Sequence, residues 1–149
     1  MFAAFPVTSA EIISGKAVVT DGDSIKIDGD SIRLGDIDAP EIKQRCLNGS
    51  MSYMCGVESK KALVEIVQDK LVRCEISGAD RYGRLLATCF VGKQNINATM
   101  VQRGWALSYR RYSARYVAKE QEAITLQQGI HAGLFMMPWE WRKACRNTR

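Results

Sequence analysis

The chain has 149 residues, 46% hydrophobic and 25% charged; that is enough for one self-supporting core, too little for two ordinary domains, and unlike disordered, collagen-like or coiled-coil chains. No uncharged apolar run nears the roughly 20 residues of a spanning helix, the nearest being Met1 to Ala10 and Leu134 to Trp139, so no membrane span is expected. The net charge of +5 is segregated: residues 101–149 carry nine basic and three acidic side chains, whereas Asp21 to Glu41 holds seven acids against Lys26 and Arg33, which predicts a polyanionic partner for the tail and a neutralising cation for the acidic knot.

Short β-forming runs come first. Lys16 to Thr20, Ser24 to Ile27 and Ser31 to Asp36 read as strands, with Asp28-Gly29-Asp30 as the turn between the second and third. Val57 to Gln68 puts Leu63, Ile66 and Val67 on one helical face. Two further strands follow, Leu71 to Ser77 and Arg84 to Val91, joined through Gly78 to Gly83. Beyond Gly92 the pattern is helical: Asn95 to Arg103, ended by Gly104, and Ser113 to Gln128, ended by Gly129. Five strands with a helix after the third and helices at the end predict an α+β, β-rich fold, a five-stranded Greek-key barrel of the oligonucleotide/oligosaccharide-binding (OB) type with three α-helices. No repeat, low-complexity tract or linker divides the chain, so residues 1–149 are expected to form one domain: an N-terminal extension (1–14), the barrel with its inserted helix (15–108), and a C-terminal helix and tail (109–149).

Five cysteines, Cys46, Cys55, Cys74, Cys89 and Cys145, form no CxxC pair and have no histidine beside them, which disfavours zinc. Cys46 and Cys55 bracket a polar loop, and Cys74 and Cys89 lie symmetrically about Arg81 and Tyr82, so each pair is a candidate disulfide; buried thiols are the other reading. Bridges imply an extracytoplasmic, secreted or periplasmic location, although Met1 to Ala10 lacks the basic start and apolar length of an export signal.

The chemistry concentrates in Asp21-Gly22-Asp23-Ser24 and in Arg33 to Glu41. Asp21 and Asp23, two apart in extended backbone, face one side, while Asp38 and Glu41 flank Pro40, which forces a bend. Carboxylates from two segments, with the Ala39 carbonyl, suit a hard oxygen-seeking cation, calcium or magnesium. Asp28 and Asp30 read as solvated turn acids. Strict alternation sends Arg33 and Asp38 to opposite faces, so a shared site demands a bulge or bend, expected at Gly35. Arg84 is either a phosphate contact or an edge charge paired with Asp80. The only histidine, His131, lies far along the chain and reads as a packing or surface residue, which disfavours histidine-dependent hydrolysis. Gly78 to Arg84 lacks the Lys-Ser/Thr of a P-loop, and Ile32 stands where an EF-hand begun at Asp21 needs Glu.

Asp21-Gly22-Asp23-Ser24, Arg33 with Asp38-Ala39-Pro40-Glu41, Asp80-Arg81-Tyr82-Gly83-Arg84 and Met100 to Ala106 together resemble the staphylococcal nuclease family from about Gly15 to Gly133. The resemblance implies Ca²⁺-dependent hydrolysis of DNA and RNA to 3′-phosphates. It assigns Asp23, Asp38 and the Ala39 carbonyl to the metal, Asp21 to the metal's water shell, Glu41 as general base, and Arg33 and Arg84 to the phosphate. Tyr82, Tyr109 and Tyr112 are candidate substrate contacts, loosely matched in spacing. The Pro138-Trp139-Glu140-Trp141-Arg142 tail resembles the ending of exported bacterial relatives and reads as packing. A monomer without an obligate protein partner is expected. Two rival readings are a non-catalytic single-stranded nucleic-acid-binding module and an exported accessory module acting on a saccharide or a protein.

Overall fold

Apolar and polar residues alternate through the first half of the chain, and the strands follow that alternation. The computed structural model describes residues 3–4, 10–111 and 113–148. Ile12–Lys16 (β1) and Val18–Asp21 (β2) are separated only by Ala17. Ser24–Ile27 (β3) and Asp30–Leu34 (β4) form a hairpin over Asp28 and Gly29, whose φ angles of 48° and 84° supply the left-handed pair that a two-residue turn requires. Ile25, Ile27, Ile32 and Leu34 of this hairpin point into the core.

Ile37–Asp38 (β5) follows a turn, and Cys46–Asn48 (β6) pairs with Met51–Tyr53 (β7) ahead of the helix Cys55–Val67 (α1). Leu71–Ala79 (β8) and Leu85–Val91 (β9) form the second long hairpin. Gln94–Asn95 (β10) leads into Ile96–Gln102 (α2), where the Asn95 side chain caps the helix by accepting from the Ala98 N–H at 3.0 Å. Leu107–Ser108 (β11) pairs with β5, and Val117–Thr125 (α3), a 3-10 turn over Gly129–Ala132 and Pro138–Asn147 (α4) complete the described residues.

The main sheet runs β1-β8-β9-β4-β3-β2, with β10 beside β9; only β4 and β9 pair in parallel. Its two edges are consecutive in the chain, so the sheet curls on itself around Ile25, Leu34, Val72 and Ala87, and α1 and α2 add Leu63, Ile66 and Met100 to that core. A second cluster, Cys46, Cys55, Leu107 and Ile130 with Trp105 and Trp139 against it, lies beneath the C-terminal segment.

The β-rich α+β class stands; where five strands and three helices are expected, four α-helices and eleven strand segments, several of them short, occur among the described residues. Strand β1 begins at Ile12, inside the stretch expected as an extension: Ser14-Gly15 breaks the alternation that would mark a strand, and pairing of its backbone with β8 forms it. Helix α3 starts at Val117, four residues later than expected, after Tyr116 at its N-cap. Both candidate disulfides form, Cys46–Cys55 and Cys74–Cys89, the latter between directly paired residues of β8 and β9; Cys145 is free and partly buried. Such bridges persist in oxidising, extracytoplasmic surroundings. Among the described residues no helix is long and apolar enough to cross a membrane.

Candidate active site

Arg33 sits on β4 opposite Ser24, between the buried Ile32 and Leu34, and would point away from Asp38 were the strand to continue. Instead β4 stops at Leu34 and the chain turns through Gly35-Asp36. The bend falls where expected, but the left-handed residue is Asp36, with φ 63°, rather than the glycine. Gly35 is pinned by its N–H on the Ala87 carbonyl (2.8 Å) and by the Asn97 amide donating to its own carbonyl (3.0 Å). After the turn, Arg33 Nη1 donates to the Leu34 and Ile37 carbonyls at 3.1 and 3.0 Å, and Nη2 lies 3.5 Å from Asp38 Oδ1 and 3.6 Å from Asp23 Oδ2.

The same bend brings the two acidic segments together. Asp23 Oδ2 accepts the Ala39 N–H at 2.8 Å, and the Asp23 N–H donates to Asp21 Oδ1 at 3.1 Å. Ala39 therefore meets the cluster through its N–H. Helix α1 comes close beneath both segments because glycine allows it: a β-carbon on Gly22 would fall 1.9 Å from Ser59 Oγ, and one on Gly56 would fall 1.7 Å from the Glu41 carbonyl oxygen. The Glu41 turn is closed by Gln44, wholly buried, whose N–H donates to the Glu41 carbonyl and whose Oε1 accepts the Glu41 N–H.

Burial and neighbouring charge act differently on the carboxylates of the site. Burial, with the Asp23 charge beside it and Glu41 farther off, pushes Asp21 up to about 7. Burial also pushes the Asp38 carboxyl above the usual carboxylate range, against the pull of the guanidiniums that touch it and with Asp23 adding to the push. Asp80 goes the other way: desolvation is the largest single influence and pushes its carboxyl up, but the hydrogen bonds from the Arg84 backbone and side chain and from the Tyr82 N–H, with the Arg84 charge, together outweigh it and hold the carboxyl below the ordinary range.

Arg84 takes up the expected pairing with Asp80, Nε to Oδ2 at 2.8 Å. Its Nη1 also reaches Ser24 Oγ at 3.4 Å, and that hydroxyl donates to Asp23 Oδ1, so the second arginine touches the acidic cluster through Ser24. Together with Thr20, Asp21 and Lys26 it lines a cavity of about 130 Å³. Tyr82 is exposed on the hairpin with Arg81 over its ring, whereas Tyr109 stacks on Trp139, ring centroids 5.5 Å apart. Tyr112 lies outside the described residues. His131 packs edge-on against Phe135, away from the acids, with Nε2 buried and unbonded.

A model of the family described as staphylococcal nuclease homologue matches residues 31–132, more than half of the chain. The chain belongs to the staphylococcal nuclease family. Its similar relatives include an "Uncharacterized endonuclease" of Haemophilus influenzae, 37% identical over 74% of this chain and 59% of the relative. Others are "Succinoglycan biosynthesis protein ExoI" of Rhizobium meliloti, 41% identical over 66% of this chain and 53% of the relative, and "Micrococcal nuclease" of Shigella flexneri, 32% identical over 78% and 70%. The chain spans about half the length of the first two of these curated relatives, 59% and 53%.

One side chain at this staphylococcal-nuclease-type site went unforeseen. Arg142, from α4, donates Nη1 to Asp38 Oδ1 (3.0 Å) and to Glu41 Oε1 (2.8 Å), and Nη2 to Asp38 Oδ2 (2.8 Å). The reading of Pro138 to Arg142 as packing alone is thus corrected: Pro138 opens the helix, Trp139 packs on Tyr109, and Arg142 enters the acidic cluster. The tail is led there by residues 134–136: Leu134 and Leu47 exchange backbone hydrogen bonds, and Gln44 Nε2 donates to the Met136 carbonyl at 2.7 Å. A basic residue after Trp-Glu-Trp was visible in sequence, but its partners lie more than a hundred residues away.

A divalent metal, which the family implies, fits the donors present. They are all oxygen, crowded, and insufficiently neutralised at Asp21. Among the described residues no group of three or more His, Cys, Asp or Glu side chains forms a cage.

Proposed function

We propose that this chain is a Ca²⁺-dependent endonuclease that hydrolyses phosphodiesters of DNA and RNA to 3′-phosphate products. The reading is supported above all by the meeting of Asp23, Asp38, Glu41 and Arg33, drawn from two separate segments, around the bend at Gly35-Asp36. Asp23 and Asp38 would hold the cation, with the Ala39 carbonyl, and Asp21 would order its water. When bound, the cation supplies Lewis-acid polarisation of a non-bridging phosphate oxygen.

The rest is done by side chains. Arg33 is held through Nη1 by two carbonyls and turns Nη2 toward the carboxylates, so one edge of its planar fork is presented with little freedom left. Arg84, steadied by Asp80, presents the second fork and stabilises the departing 5′ oxygen. Glu41 accepts a proton from the attacking water as the bond to phosphorus forms. Tyr82, exposed beside Arg84, offers a face for a base, with Tyr109 and Tyr112 as further contacts. Counted with β1–β2 as one strand and β4–β5 as another, the curled sheet becomes a five-stranded Greek-key barrel of the OB type in a single domain. Two disulfides favour an exported, secreted or periplasmic protein, and we take it to act as a monomer.

A plasmid-nicking assay with Ca²⁺, with chelator, and with Glu41→Gln tests the reading. Nicking by the wild type with Ca²⁺ alone, and its loss in both controls, is the expected result. A protein that retards DNA or single strands without cutting them under any of these conditions would be a binding module instead.

A further inference from the structure

Asp38 has no exposed side-chain surface, and both of its oxygens accept from one guanidinium, that of Arg142, at 3.0 and 2.8 Å. The same Nη1 holds Glu41 Oε1 at 2.8 Å. This is bidentate recognition of a carboxylate by a planar fork, with a second carboxylate clamped to it. Arg33 makes nothing comparable: its Nη2 stays 3.5 Å or more from Asp38 and Asp23, and its Nη1 is committed to backbone. Arg142 arrives from the far end of the chain on α4, and its side chain keeps 31% of its surface exposed, so it can leave without unpacking the core.

We propose that Arg142 is a positioning residue that stands in for the divalent cation, neutralising Asp38 and Glu41 while the cation is away and competing with it for Asp38. The assignment rests on the nuclease reading of this site. A cation within bonding distance of Asp38 would face the guanidinium a few ångströms away in a partly buried setting, where like charges repel strongly. The two ligands of Asp38 are therefore coupled negatively, and the coupling is reciprocal: whatever affinity the cation gains when Arg142 is removed, α4 loses in docking when the cation binds. A purely structural Arg142 gives the opposite sign, since loosening the carboxylates would weaken the cation's hold.

Calorimetric titration of the full chain with Ca²⁺, alongside Arg142→Ala and Arg142→Lys, reads the first half of the coupling. Arg142→Ala should bind Ca²⁺ about tenfold more tightly, within the usual range of such couplings. Arg142→Lys should fall between it and the wild type, because an ammonium keeps the charge but cannot bridge both carboxylates. Hydrogen exchange of residues 138–147 in the wild type reads the second half and needs no variant: exchange should speed up when Ca²⁺ saturates the protein. Equal or weaker Ca²⁺ binding by Arg142→Ala overturns the proposal, as does unchanged or slowed exchange in α4. A wild type that binds and uses Ca²⁺ with α4 unaffected removes the Arg142 assignment alone. A wild type that neither binds Ca²⁺ nor cuts DNA removes the nuclease reading and this assignment with it.

Discussion

Arg33 carries a guanidinium whose two nitrogens have different tasks, and only an arginine can perform both. Nη1 is bound to the Leu34 and Ile37 carbonyls while Nη2 faces Asp38 and Asp23. Arg33→Lys keeps the charge and loses the fork, so turnover should fall by at least two orders of magnitude, about 3 kcal/mol of transition-state stabilisation, with DNA affinity nearly intact. Steady-state kinetics on a defined oligonucleotide separates the two parameters; a lysine variant of full activity would leave Arg33 with a charge-balancing role only. Glu41→Gln should cost roughly 10² to 10⁴ in rate, the span of a lost general base, while circular dichroism and DNA retardation stay as in the wild type. His131 offers a test of a different kind. Burial pulls its ring below the ordinary histidine value, and Nε2 has no hydrogen-bond partner. The folded protein thus resists a proton that the unfolded chain accepts near pH 6.5, so this residue's stabilising share is complete above that pH and disappears as the pH falls through the lower folded-state value. Melting temperatures of wild type and His131→Phe, compared at pH 7.5 and pH 5, should show the wild type losing more on acidification; equal losses would mean the imidazole is not penalised.

At the scale of elements, the site depends on fixed attachments between segments that are each unremarkable alone. Asn97, the second residue of α2, is wholly buried and ties three backbone groups together: it accepts from the Cys89 N–H and donates to the carbonyls of Gly35 and Ala87. Asn97→Ala takes a buried hydrogen bond from each of the three beneath the bend that aligns Arg33 with Asp38, leaving the Ala87 carbonyl only its bond from the Gly35 N–H, and should cost about 3 kcal/mol, seen as a lower urea midpoint with an unchanged slope. The strands of hairpin β3–β4 were legible because Ile25, Ile27, Ile32 and Leu34 alternate cleanly and Asp28-Gly29 marks the turn between them. The disulfide between Cys74 and Cys89 was legible for the same reason, two cysteines equidistant from a turn. What escaped were short elements without a pattern. Hairpin β6–β7 has three residues per strand, and α4 mixes tryptophans with charges, so nothing in its periodicity says which face goes inward. The acids of residues 21–41 and Arg33 could be read from local spacing, since one bend joins them. Arg142 and the bond from Gln44 Nε2 to the Met136 carbonyl could not, since they are set by tertiary docking of a tail on a distant loop.

Charge ties the whole molecule together. The acidic knot and the basic tail are far apart in sequence, and the fold returns one tail arginine to the knot, while Asp21 remains without enough positive charge nearby. A divalent cation held by these carboxylates only in the folded form should therefore stabilise the native state well beyond any ionic-strength effect. At about a hundred times its dissociation constant, a ligand that binds only the folded form contributes about 2.7 kcal/mol. For a chain of this length that corresponds to a rise in melting temperature of roughly 5 to 10 °C. NaCl at matched ionic strength should give little of this, because a monovalent ion screens exposed charges but is not drawn into the cluster. Asp23→Asn and Asp38→Asn should each remove most of the Ca²⁺-dependent rise, since each takes a proposed ligand away. Scanning calorimetry of wild type and both variants, with Ca²⁺, with NaCl and with chelator, reads all of these at once. A rise that NaCl reproduces, or that survives both substitutions, would place the stabilising cation somewhere other than between the two acidic segments.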